Sequence, residues 1–80
     1  MYKLKYGVSY SNFMASIERC SGDVIFQTTA GDILNLKSKL SQFIFASAVT
    51  RPELIEDGQI ICCVESDIAH LAPHLTYMEE

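Results

Sequence analysis

An 80-residue chain has material for one apolar core and none for a separate catalytic lobe, so residues 1–80 are expected to form a single domain. With 49% hydrophobic and 20% charged residues it has the balance of a globular protein rather than a disordered one, and it is expected to fold alone or as a dimer. The net charge of −4 and the scatter of Lys3, Lys5, Arg19, Lys37, Lys39 and Arg51 exclude a basic stripe able to neutralise nucleic-acid phosphates.

No run approaches the roughly 18 apolar residues of a membrane span, and Met1-Tyr2-Lys3-Leu4-Lys5 lacks the long apolar stretch of a signal peptide. No membrane association and a cytoplasmic location are therefore expected. The three cysteines, Cys20, Cys62 and Cys63, are an odd number. Two are adjacent on a strand-like run whose side chains point to opposite faces, which suits reduced structural thiols and not a disulfide framework.

Taken in chain order, Tyr2, Leu4, Tyr6 and Val8 alternate with Lys3, Lys5 and Gly7, the period of a strand with one wet face. Ser9 or Ser11 then caps a short amphipathic helix carrying Phe13, Met14, Ile17 and Cys20, with Gly22 expected as its left-handed terminator. Val24 to Thr29 is β-rich. Ala30-Gly31-Asp32 turns the chain into Ile33-Leu34-Asn35-Leu36, giving an antiparallel hairpin.

From Ser38, Leu40, Phe43, Ile44 and Ala48 follow a helical period that ends before Arg51-Pro52. Pro52 to Gly58 reads as a polar, acidic connection, and Gln59 to Glu65 as a fully buried central strand. Ser66 and Asp67 open a last helix with Ile68, Leu71, Leu75 and Met78 on one face. Pro73 either kinks that helix or starts a new turn. The expected fold is α+β: an open-faced β-α-β-β-α-β-α sandwich with a four-stranded, mostly antiparallel sheet and helices on one face.

Gly31-Asp32-Ile33-Leu34-Asn35-Leu36-Lys37-Ser38 resembles the Gly-x-x-(apolar)-Asn-(apolar)-Lys-Ser stretch of HPr, the small phosphocarrier of the bacterial sugar phosphotransferase system. The element order is similar too, and Asp57-Gly58-Gln59-Ile60 is similar to the glycine-led start of that family's last strand. The resemblance implies an active-site histidine, followed closely by an arginine, in the loop before the first helix. Here that loop, Gly7-Val8-Ser9-Tyr10-Ser11, is shorter and contains neither. Phospho-transfer through histidine needs an imidazole at a helix N-terminus, where amides and a guanidinium stabilise the phosphoryl oxygens. His70 and His74 are expected in the last helix, at the other end of the fold.

The resemblance also places Ser38 where Gram-positive relatives carry a regulatory phosphoserine. On the residues alone Ser38 is either a modified hydroxyl flanked by Lys37 and Lys39 or simply a helix cap. The stretch Leu40 to Ala46 holds more bulky apolar residues than one buried stripe requires. Phe43 and Phe45, with Lys37 and Lys39, are therefore the expected partner-binding surface, unless Phe45 packs under the following connection. The occupant is either another protein or a second copy of the chain.

His70 and His74 have the i, i+4 spacing of a helical metal pair that a cysteine or Asp67, Glu79 or Glu80 would have to complete, but Cys62 and Cys63 cannot both face one point on a regular strand and Pro73 disturbs the spacing, so no metal and no cofactor are expected. The expected function is a non-enzymatic, regulatory protein-interaction module. Its rival is a phosphocarrier that uses a different acceptor.

Overall fold

Tyr2–Leu4 (β1) enters the fold as a short strand, and a computed structural model describes it together with the rest of residues 1–79. Gly7, at φ 75°, makes the turn that follows, and Ser9 begins Tyr10–Glu18 (α1). Ser9 is extended and its hydroxyl accepts from the Asn12 amide at 3.4 Å, satisfying one of the free donors of the first turn. Val24–Thr28 (β2) and Ile33–Asn35 (β3) form the hairpin, with Phe26 opposite Leu34 and Gly31 at φ 97° in the turn.

Lys39–Ala48 (α2) follows directly, and then Pro52–Asp57 (α3), Gly58–Cys62 (β4), Ile68–Leu71 (α4) and Leu75–Tyr77 (β5). Single 3-10 turns at Glu65–Asp67 and Ala72–His74 flank α4. The sheet has five strands in the order β3-β2-β4-β1-β5, with every pairing antiparallel. Leu4, Val24, Phe26, Ile60 and Leu75 turn to one face, where Phe13, Ile17, Phe45 and Ile55 of the helices complete a single core. Lys3, Ile25, Gln27, Gln59 and Ile61 alternate onto the other face.

The α+β class and the antiparallel sheet agree with the sequence expectation; the four-strand count and several boundaries do not. Most of the expected connection from Pro52 to Gly58 is a helix, Pro52–Asp57, and Gly58 already belongs to β4. Proline at the first helical position has no amide to waste there, Arg51 ahead of it is extended, and Ile55 is 8% exposed in the core. The last segment is a fifth strand where helix was expected. Pro73 ends the helical path, and Leu75, Thr76 and Tyr77 pair with Leu4, Lys3 and Tyr2 along the free edge of β1. β4 is central but not doubly buried, since Ile61 is 38% exposed on the bare face.

Gly22 does not terminate α1, whose last carbonyls are capped at Arg19 in right-handed geometry. Gly22 is needed for proximity instead: a Cβ there would lie 2.5 Å from Val64 Cγ2. Gly58 is under the same constraint, because a Cβ would sit 2.2 Å from the Phe26 ring.

Asp67 closes this end of the molecule. Only 3% exposed, it accepts from the Ser21 amide at 3.0 Å, the Gly22 amide at 2.8 Å and the Ser21 hydroxyl at 3.2 Å. The Ser21 and Gly22 amides, aided by the Ser21 hydroxyl and His70, hold its carboxyl below the usual carboxylate range, against a smaller opposing effect of burial. A depressed native value adds stability that is complete above the unfolded carboxylate pKa of about 3.9 and disappears as pH falls through the lower native value. Asp67→Asn is therefore expected to lower the urea midpoint at pH 7 and to lower it by less at pH 3. An equal loss at both pH values would contradict this role.

Candidate functional site

The segment between β3 and α2 is organised by Asn35. Its side-chain oxygen accepts from the Lys37 amide at 3.0 Å and its carbonyl from the Ser38 amide at 2.9 Å, an Asx turn that aims the chain into the helix. Ser38 is then extended (φ −84°, ψ 132°), and its exposed hydroxyl accepts from the Ser41 amide at 3.5 Å. Ser38 is thus the N-cap of α2.

The body of α2 is fixed at three places. Gln42 Nε2 donates to the Leu36 carbonyl at 2.8 Å, and Tyr10 Oη donates to the Gln42 carbonyl at 3.1 Å. Phe45 inserts among Phe26, Phe13 and Tyr10, with ring centroids 5.1, 5.9 and 6.3 Å away. Once Phe45 points inward, the 100° step of the helix turns Leu40, Phe43 and Ile44 elsewhere. They are 71%, 77% and 47% exposed.

The residues expected to form one docking surface therefore separate. Phe45 is fully buried and belongs to the core, packed on aromatic side chains of the sheet and α1 and not under the following connection. Lys37 is half-buried, its ammonium donating to the Cys20 carbonyl at 2.5 Å, so it ties α2 to the end of α1. Lys39 and Phe43 are exposed on α2 beside Ser38, where Leu40 and Ile44 join them. A cleft of about 290 Å³ continues the same surface between α2, α3 and the β2–β3 hairpin, floored by Phe26, Leu34 and Ala48 and bounded by Asp32 and Arg51.

The loop before α1 contributes Tyr6, which is 84% exposed, and the capping Ser9, with no imidazole or guanidinium of its own. One histidine is nonetheless closer to this part of the fold than its expected place in a last helix implied. The His74 carbonyl accepts from the Lys5 amide at 2.9 Å, and its ring packs edge-on against Phe13, 5.6 Å between centroids. His74 Nε2 lies 3.0 Å from Ser16 Oγ, which also accepts from Arg19 Nη2 at 3.4 Å. The imidazole thus meets the flank of α1, one to two turns past the Ser9 cap, where the helix amides are already bonded within the helix. No position in the sequence signals this cluster, because His74 reaches α1 only once residues 75–77 pair along the edge of β1.

Cys20 is buried, Cys62 half-buried and Cys63 exposed, all as free thiols. Burial, then the nearby Cys20, Asp67 and Cys63, push the Cys62 thiol up to about 11, which disfavours the nucleophilic thiolate at neutral pH. Among the described residues no group of three or more His, Cys, Asp or Glu is placed to hold a metal ion, and no helix is long and apolar enough to cross a membrane. No family model, no curated protein and no solved structure matches this chain.

The two faces of α2 make opposite demands on stability. Phe45→Ala leaves a core cavity and is expected to cost about 3–5 kcal/mol. Phe43→Ala, on the open face, should change stability by no more than about 0.5 kcal/mol. Urea titrations of the two variants check this, and a comparable loss in both would contradict the assignment of faces.

Proposed function

We propose that this chain is an HPr-like module that does not carry phosphate on histidine and acts, in the bacterial cytoplasm, as a non-enzymatic regulatory protein that docks another protein through α2. One observation supports this reading above the others: α2 buries Phe45 in the core and leaves a second apolar stripe, made of Leu40, Phe43 and Ile44, exposed. A surface helix that only packs its own core needs one apolar stripe. The second stripe has a use only if something covers it at least part of the time.

Ser38 and Lys39 lie at the N-terminal end of that stripe, so a phosphate on Ser38 would meet the helix dipole and the Lys39 ammonium at the rim of the docking surface. The capping hydroxyl is on an exposed residue, as such a modification requires. Phosphorylation would then alter docking through charge, with no rearrangement of the core.

The Ser16, Arg19 and His74 cluster favours the rival reading, a phosphocarrier with a displaced acceptor. Against it, His74 Nε2 is engaged by the Ser16 hydroxyl and the ring lies on the flank of α1, where the helix amides are bonded within the helix. Incubation with labelled phosphoenolpyruvate and the general phosphotransferase enzymes separates the two. No acid-labile label is expected on the protein, whereas label on His74 that is lost in His74→Gln would establish the rival. For the docking role, a photo-crosslinking amino acid at position 43 is expected to give a discrete adduct in native extract that the same group at position 76 does not. Absence of any adduct at position 43 would contradict it.

A further inference from the structure

We infer that the bond between Asp57 and Gly58 is a covalent modification site, at which the chain cyclises to a succinimide and reopens as an isoaspartyl linkage when a clasp made by Thr29 is released. The sequence singles out the place. Cyclisation needs the nitrogen of the following residue to reach the aspartyl Cγ, and a side chain on that residue hinders the approach. Every other aspartate and asparagine precedes a valine, isoleucine, leucine or phenylalanine, and Asp57 alone precedes glycine.

The fold holds both residues in place. A Cβ at position 58 would lie 2.2 Å from the Phe26 ring, so glycine is required there. Asp57 is required as an acceptor: its carboxyl oxygens take the Thr29 hydroxyl at 2.5 Å and the Thr29 amide at 3.3 Å, fastening the end of α3 to the turn between β2 and β3. Two independent structural demands thus meet in one chemically labile pair.

The same contacts hold the reaction back. The Gly58 amide donates to the Ile55 carbonyl and the Asp57 carboxyl is bound by Thr29, so both reacting groups are occupied. On local opening the Gly58 nitrogen bonds to Asp57 Cγ, one Cγ–O bond breaks, and that oxygen leaves as water with the amide proton and a second proton. Water then adds across the original bond between the Asp57 carbonyl carbon and the Gly58 nitrogen, its hydroxyl to carbon and its hydrogen to nitrogen. The net change is an isomerisation, with water lost and regained and the main chain now one atom longer through the Asp57 side chain. A cleft of about 470 Å³ lined by Thr29, Asp57 and Gln59 gives that water access. The extra atom breaks the register that sets Gly58 and Ile60 opposite Thr28 and Phe26, and through Phe26 it disturbs the seat of Phe45 that orients α2.

Incubation of the full chain at physiological temperature and pH for several weeks, folded and in concentrated urea, tests this, with peptide mapping by electron-transfer fragmentation to locate isoaspartate. Position 57 is expected to be the principal site in urea, and the folded protein to react at least about tenfold more slowly, because only locally opened molecules cyclise. Thr29→Val should raise the folded rate about threefold or more, as loss of its hydroxyl contact favours opening, and leave the rate in urea unchanged. Asp67→Asn, which lowers overall stability without touching Asp57, should leave the folded rate near that of the unsubstituted chain. Absence of isoaspartate at position 57 in urea removes the site. Equal rates in the folded and unfolded chain, no acceleration by Thr29→Val, or equal acceleration by both substitutions overturns the Thr29 clasp.

Discussion

The placement of one aromatic ring governs most of what this molecule can do. Phe45 is fully buried where α1, α2 and the sheet meet, in contact with Tyr10, Phe13 and Phe26. An aromatic side chain removes more apolar surface from water than any other, and edge-on ring contacts add to that gain. The orientation of α2 is therefore not free, and Leu40, Phe43 and Ile44 are turned away from the core as a geometric consequence. The exposed stripe is the other side of a well-packed helix, not a defect in packing.

A second junction depends on a carboxylate where the seating of α2 depends on a ring. Asp67 collects the amides of Ser21 and Gly22 and so joins the end of α1 to the segment after β4. The close approach of Gly22 to Val64 is part of the same junction. From there the chain passes through α4 to β5, which covers the edge of β1 and carries His74 to the flank of α1. The imidazole is thus held by serine and phenylalanine neighbours in a position that serves packing, away from the free amides of the α1 N-terminus.

Local signals in the sequence were readable wherever a few neighbouring residues decided the outcome. Of the candidates Ser9 and Ser11 it is Ser9 that caps α1, Ser38 caps α2, and Ala30-Gly31-Asp32 closes the hairpin. The elements that escaped notice depend on distant partners. Leu75-Thr76-Tyr77 has little to mark it as a strand until the free edge of β1 is present beside it. Pro52 to Asp57 looked like a polar link because Ile55 alone carries its contact with the core. Asp67 resembled a helix opener, although its carboxylate serves the loop after α1. At the candidate site, the excess of apolar residues in α2 was visible, but which phenylalanine turns inward is decided by Tyr10, Phe13 and Phe26, far away in the chain.

The division of α2 into a covered and an uncovered face can be observed directly, because the chain has four phenylalanines and only Phe43 lies outside the core. Fluorine NMR of protein labelled with fluorophenylalanine, recorded at low micromolar concentration with a soluble paramagnetic agent, reads the exposure of each ring. One strongly broadened resonance, assigned by Phe43→Leu, is expected beside three protected ones from Phe13, Phe26 and Phe45. Four equally protected rings, or strong broadening of Phe45, would contradict the architecture on which the functional reading rests.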